Sequence, residues 1–158
     1  MTYDHRFRVW ASIIATIFVL TGTTPACTLK PKDDPEPALS DRLGDHLQRA
    51  IETEASASHL WDRILFGEPV SCQEALTVPL RFEITPAEQQ SEPLSVPVAE
   101  HLNNAIAALE TAVAIWDEEC TQSRDVIPLA VVQQAQMALK QARKSLGLAT
   151  DAWTVWQS

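Results

Sequence analysis

Glycine is scarce, with only four residues in 158. That leaves little material for phosphate-cradling loops or nucleophile elbows, and no P-loop, GxGxxG or G-x-S-x-G is present. The zinc helix HExxH and the haem attachment CxxCH are also missing. No serine after residue 26 has lysine three positions on. These absences give no catalytic assignment, and neither a cofactor nor a metal is expected. Basic residues are few as well: 12 Lys and Arg stand against 21 Asp and Glu, for a net charge of −9. That balance speaks against nucleic acid and against a basic face for anionic lipid. The acid is spread without a long run, as on a solvated surface. Only three cysteines occur, with no CxxC and no four-ligand set. No apolar stretch approaches the roughly 20 residues that a spanning helix needs.

What is present begins at the start of the chain. Arg6 and Arg8 precede an apolar run from Val9 to Gly22, and Thr23, Thr24, Pro25 and Ala26 follow. A charged start, a short apolar middle and a small-residue exit predict a secretory signal peptide over residues 1–26. Cys27 comes next. With Ala26-Cys27 after an apolar run, these 27 residues resemble the start of bacterial lipoproteins. In that family the signal peptide is cut just before a cysteine whose thiol becomes a thioether to diacylglycerol. The resemblance implies lipidation of Cys27 and attachment to the outer face of a bacterial membrane. Where the family usually has an apolar residue, three before the cysteine, this chain has Thr24. Pro25 follows it. An ordinary secretory cut near Ala26 is the alternative. Residues 28–37, TLKPKDDPEP, then read as an extended tether at roughly 3.1 Å per residue.

An exported chain usually pairs its thiols, and an odd number needs an explanation. If Cys27 carries lipid, Cys72 and Cys120 are left as one disulfide. A free or intermolecular thiol and an uncleaved anchor are the other ways to account for three.

The remainder, 39–158, predicts one all-α domain: a three-helix bundle with helices at about 39–66, 97–121 and 126–156. The second helix carries the plainest signal. Leu102, Ile106, Leu109, Val113, Trp116 and Cys120 recur at steps of four and three, which makes a single apolar seam. The first helix places Leu43, Leu47, Ala50, Ile51, Ala57, Trp61, Ile64 and Leu65 on its apolar face, and Gly67 with Pro69 ends it. The third begins after Asp125, with Pro128 in its first turn. It keeps its phase through Val132, Ala135, Leu139, Ala142, Leu146, Ala149, Trp153 and Trp156. One long helix is therefore expected across Gly147, with a break there as the alternative.

Residues 68–96 form an unusually long connection. Within it Leu76, Val78, Leu80, Phe82 and Ile84 alternate with Thr77, Pro79, Arg81, Glu83 and Thr85. A period of two predicts an extended strap with one apolar face, and Pro79 argues against a central strand. Such a strap is long enough to run back along a helix of about 28 residues, roughly 42 Å. The first two helices are then parallel, the short link makes the last two antiparallel, and Cys72 and Cys120 meet at one pole.

Other candidates have plainer readings. Trp153 and Trp156 fall in the last turns, where tryptophan suits a membrane interface; both also keep the seam, which suits core packing. Asp45-His46 and Glu100-His101 lack a Glu-x-x-His repeat and lie out of phase, so they read as solvated. Lys140, Arg143 and Lys144 are expected to pair with carboxylates of a neighbouring helix. The function expected from all this is a lipid-anchored, non-enzymatic interaction or accessory module of a cell-envelope complex. It touches the membrane through Cys27 and has a possible protein partner. An edge of the strap would be open to a partner strand, and the acidic surface to a basic partner. A bundle that holds a small apolar ligand in its alanine column is the alternative, and an enzyme without a recognisable motif is a third reading.

Overall fold

Among the described residues four helices form in chain order: α1 over Leu39–Leu65, α2 over Pro86–Ser91, α3 over Ser95–Thr121 and α4 over Leu129–Gln157. They come from a computed structural model, which describes residues 37–122 and 126–158. The expected signal peptide, Cys27, nearly all of the expected tether and the expected cap residue Asp125 lie outside the described residues. Among those described, no helix is long and apolar enough to cross a membrane.

The chain is helical with one disulfide, Cys72–Cys120, whose Cα atoms are 5.5 Å apart. Helices α1, α3 and α4 share one core, and the most extensive contact is between α3 and α4. Helix α3 is buried on more than its seam. Ala99, Ala105, Ala108 and Ala112 are buried beside Leu102, Ile106, Leu109 and Trp116. A helix covered from several sides needs small residues where backbones approach, and alanine supplies them at no helical cost.

Helix α1 is narrower. Its buried set, Leu39, Leu43, Leu47, Ala50, Glu54, Ala57, Leu60 and Trp61, holds to the four-three step. Ile51 and Leu65 were expected on this face but are 38% and 44% exposed. Each falls just beyond the stripe. The helix ends as Gly67 and Pro69 foretell. Gly67 takes a φ of +74°, Glu68 N–H donates to the Arg63 carbonyl, and Gly67 N–H donates to the Ile64 carbonyl. This is a Schellman motif, which glycine completes without strain.

The strap runs antiparallel to both α1 and α3, and its contacts fix that direction. Trp116 Nε1 donates to the Glu74 carbonyl at 3.3 Å, Thr53 donates to the Thr77 carbonyl at 3.0 Å, and Asn103 holds Phe82. Arg42, near the start of α1, then meets Glu88 at 2.9 Å. Helices α1 and α3 are therefore parallel. In α4 Arg143 reaches Glu54 at 2.7 Å while Trp153 lies against Gly44, so α4 is antiparallel to both. Gly147 leaves α4 unbroken.

Three further expectations need correction. The connection is not extended throughout, since Pro86–Ser91 forms α2. Thr85 and Glu88 make a full capping box and Pro86 opens the first turn, so the signal Thr85-x-x-Glu88 was present in the sequence. Leu80 belongs by alternation to the apolar face of the strap, yet it is 84% exposed. Pro79 takes the half-buried place instead, because its fixed φ interrupts a period of two. Helix α4 starts at Leu129, with Pro128 as the extended residue before the first turn.

Candidate functional site

The strap is fastened at three points, and between them lies the most distinctive surface of the protein. At its start, Arg63 donates to the Pro69 carbonyl at 2.8 Å and pairs with Glu74 at 2.8 Å. Hydrogen bonds from the Ser71 backbone and from Arg63 hold the Glu74 carboxyl below the ordinary glutamate value of 4.5. The disulfide ties Cys72 to the end of α3 alongside. At the far end, bonds from the Thr85 backbone and hydroxyl, with Arg42 beside them, lower the Glu88 pKa in the same way.

The middle is held by Asn103 of α3. Its Oδ1 accepts from Phe82 N–H at 2.7 Å and its Nδ2 donates to the Phe82 carbonyl at 2.9 Å. A side-chain amide thus takes the place of a neighbouring strand. The Phe82 ring is buried below, with the His46 ring edge-on at 5.0 Å and the Arg42 guanidinium 5.5 Å from its centroid. Contacts of that kind contribute about 0.5–1 kcal/mol each at partly exposed sites. Asn103 escaped the sequence reading because a polar residue between apolar ones looks solvated. Only its position under the strap gives it a partner.

Two adjoining grooves run beside this segment. One of about 770 Å³ is lined by residues including Arg42, Asp45, His46, Arg49 and Arg81. The other, of about 560 Å³, continues along α1 past Glu52 and Thr53. Leu80, His46 and Arg49 line both. No protein-family model matches the chain, and no curated protein or solved structure matches it either. The chemistry of this surface therefore has to be read from its own residues.

The other predicted residues fall as follows. Cys72 and Cys120 are joined. Trp153 and Trp156 are half-buried, pack against the core and meet edge-to-face at 5.2 Å. Trp153 comes so close to α1 that a Cβ on Gly44 would lie 3.0 Å from its ring, so Gly44 sets that approach. Among the described residues no cluster of three or more His, Cys, Asp or Glu side chains is placed to hold a metal. The expected pairing of the α4 basic patch occurs at Arg143, which binds Glu54. Glu54 occupies the seam of α1 between Ala50 and Ala57, where an apolar residue belongs, and Ser58 satisfies it further at 2.8 Å. Ala135, Ala142 and Ala149 are fully buried and line neither strap groove.

Proposed function

We propose that this chain is a lipid-anchored extracytoplasmic protein, held to a bacterial membrane through Cys27, that serves as a non-enzymatic interaction module of a cell-envelope complex. The observation that carries the reading is the Cys72–Cys120 disulfide. A structural disulfide belongs to an oxidising compartment, and it leaves Cys27 as the single unmatched thiol. That thiol directly follows a stretch with the makings of an export signal. We read the domain as a three-helix bundle braced by a strap, with α2 belonging to the strap. Trp153 and Trp156 lie at the pole where the chain enters α1. In this reading they are the aromatic residues nearest the lipid.

The interaction role is supported by a strap that is fastened at both ends and the middle yet presents Leu80 to solvent. Exposed apolar side chains on a rigid frame suit recognition, since little ordering is lost on binding. The alternative, an apolar ligand inside the bundle, has less support, because the alanine column of α4 is filled by close packing.

Mass spectrometry of the mature protein from bacterial membranes tests the anchor. The expected N-terminus is Cys27 carrying diacylglycerol, and Cys27→Ala should move the protein to the soluble fraction. A mature chain that begins elsewhere, or an unmodified Cys27, refutes it.

A further inference from the structure

Helix α4 has a second face that none of the described residues covers. At roughly 100° per residue, Leu129, Met137, Leu148 and Val155 fall within about 100° of arc, opposite the buried seam of Val132, Leu139 and Leu146. All four are between 43% and 66% exposed. Lys140, Lys144 and Gly147 lie in the same arc, and the stripe is one helix wide and about 39 Å long at 1.5 Å per residue. A face that only meets water carries charged and polar residues at such positions.

Three observations say what fits there. The first is composition: of the 21 Asp and Glu residues, none falls between Val126 and Thr150. The second is pairing. At the described positions each of the five arginines sits in an ion pair with a carboxylate. Lys140 and Lys144 form no ion pair among the described residues. Asp62 of α1 lines a groove with Lys140 without pairing with it, and Asp151 stands one turn past Gly147. The third is Gly147 itself. Glycine weakens a helix, yet nothing lies within 4 Å of the place its Cβ would take. No contact within the chain accounts for the missing side chain. A helix laid along α4 would account for it, because its backbone can come close there.

Other occupants fit less well. A second copy packed antiparallel through this arc, about a two-fold axis, sets Lys140 and Lys144 against their own equivalents near the centre. A bilayer meets a broad surface, whereas this stripe is narrow and flanked by Asp62.

We propose that the outer face of α4 docks an acidic amphipathic helix of a partner polypeptide. The partner sets apolar side chains against Met137 and Leu148, brings its backbone close at Gly147 and directs carboxylates to Lys140 and Lys144. The inference rests on the interaction-module reading and names the class of partner for it.

The test places the photocrosslinking residue p-benzoylphenylalanine at Met137 or at Leu148 of the full chain in its own cells. Both positions should crosslink one polypeptide, within a segment where acid exceeds base and apolar residues recur at steps of three and four. A synthetic peptide of that segment should bind the purified chain with its disulfide intact. Lys140→Glu combined with Lys144→Glu should weaken that binding at least tenfold. Gly147→Leu should do the same while melting no lower than the wild type, and Leu80→Asp on the strap should leave binding unchanged. Crosslinks to lipid or to a second copy would overturn the proposal, as would a basic or extended segment, or no crosslink at either position. A peptide that fails to bind, or that binds the Gly147→Leu protein equally well, would overturn it too. Such a failure beside a lipidated Cys27 removes the helix dock and leaves the anchored module standing.

Discussion

Two glycines in this protein have opposite roles. Gly67 sits at φ +74° and closes α1, where any L side chain is strained. Gly147 lies in mid-helix with nothing within 4 Å of the place a Cβ would occupy. Gly67→Ala should therefore destabilise the fold by about 1 kcal/mol, and Gly147→Ala should stabilise it by about 0.5–1 kcal/mol. Urea titration of both variants checks the pair, and equal signs would contradict the assignment. Asn103 invites a similar comparison. Asn103→Ala leaves the Phe82 backbone groups unpaired and should cost about 1–2 kcal/mol. The mutant should show faster amide exchange at Phe82 than the wild type. At Glu54 the seam carries a charge that Arg143 and Ser58 satisfy. Arg143→Ala should cost about 1 kcal/mol, because Arg143 itself is largely exposed and the pair is screened. Exchanging Glu54 and Arg143 together for Met and Ala should recover that loss.

Among the elements, the strap depends on its fastenings. The disulfide closes a loop between residues 48 apart in sequence, which should contribute about 3–4 kcal/mol through the unfolded chain. The double variant Cys72→Ser with Cys120→Ser should lose stability on that scale in thermal or chemical melts. The two glutamates give the strap a pH dependence. Both Glu74 and Glu88 have folded pKa values below 4.5. A depressed carboxyl contributes stability that is fully present above the unfolded value and lost as pH falls through the folded one. The strap should therefore stay fastened above about pH 4.5 and loosen on further acidification, with α3 and α4 still folded. Carboxyl NMR titrations midway below 4.5, together with strap amides that exchange before those of α3, are the expected result. Arg63→Ala should raise the Glu74 midpoint, because its second-largest support is removed.

The whole molecule owes its arrangement to one parallel pair. A short link would set α1 and α3 antiparallel, as it sets α3 and α4. The long return through the strap instead carries both C-termini to one pole, where Trp61 and Trp116 meet edge-to-face at 6.1 Å and the disulfide closes. Burial of α3 by its neighbours and the strap explains why its sequence tolerates so many alanines. Native-state exchange should find its middle turns the last to open.

Helix positions were legible in the sequence because a seam at steps of three and four has only one regular geometry. The disulfide followed from counting three thiols in a chain with an export-like start. The capping box of α2 was also there to be read, although a period-two pattern upstream hid it. What the sequence could not settle was the direction of side chains whose partners lie far along the chain. Asn103 clamps a residue 21 positions away and Glu54 a residue 89 away. Leu80 is turned outward by a neighbouring proline against its own pattern. Periodicity determines which face of a helix is apolar, since that is a local property of the backbone. Which polar groups are satisfied depends on the distances between segments, and only the packed molecule sets those.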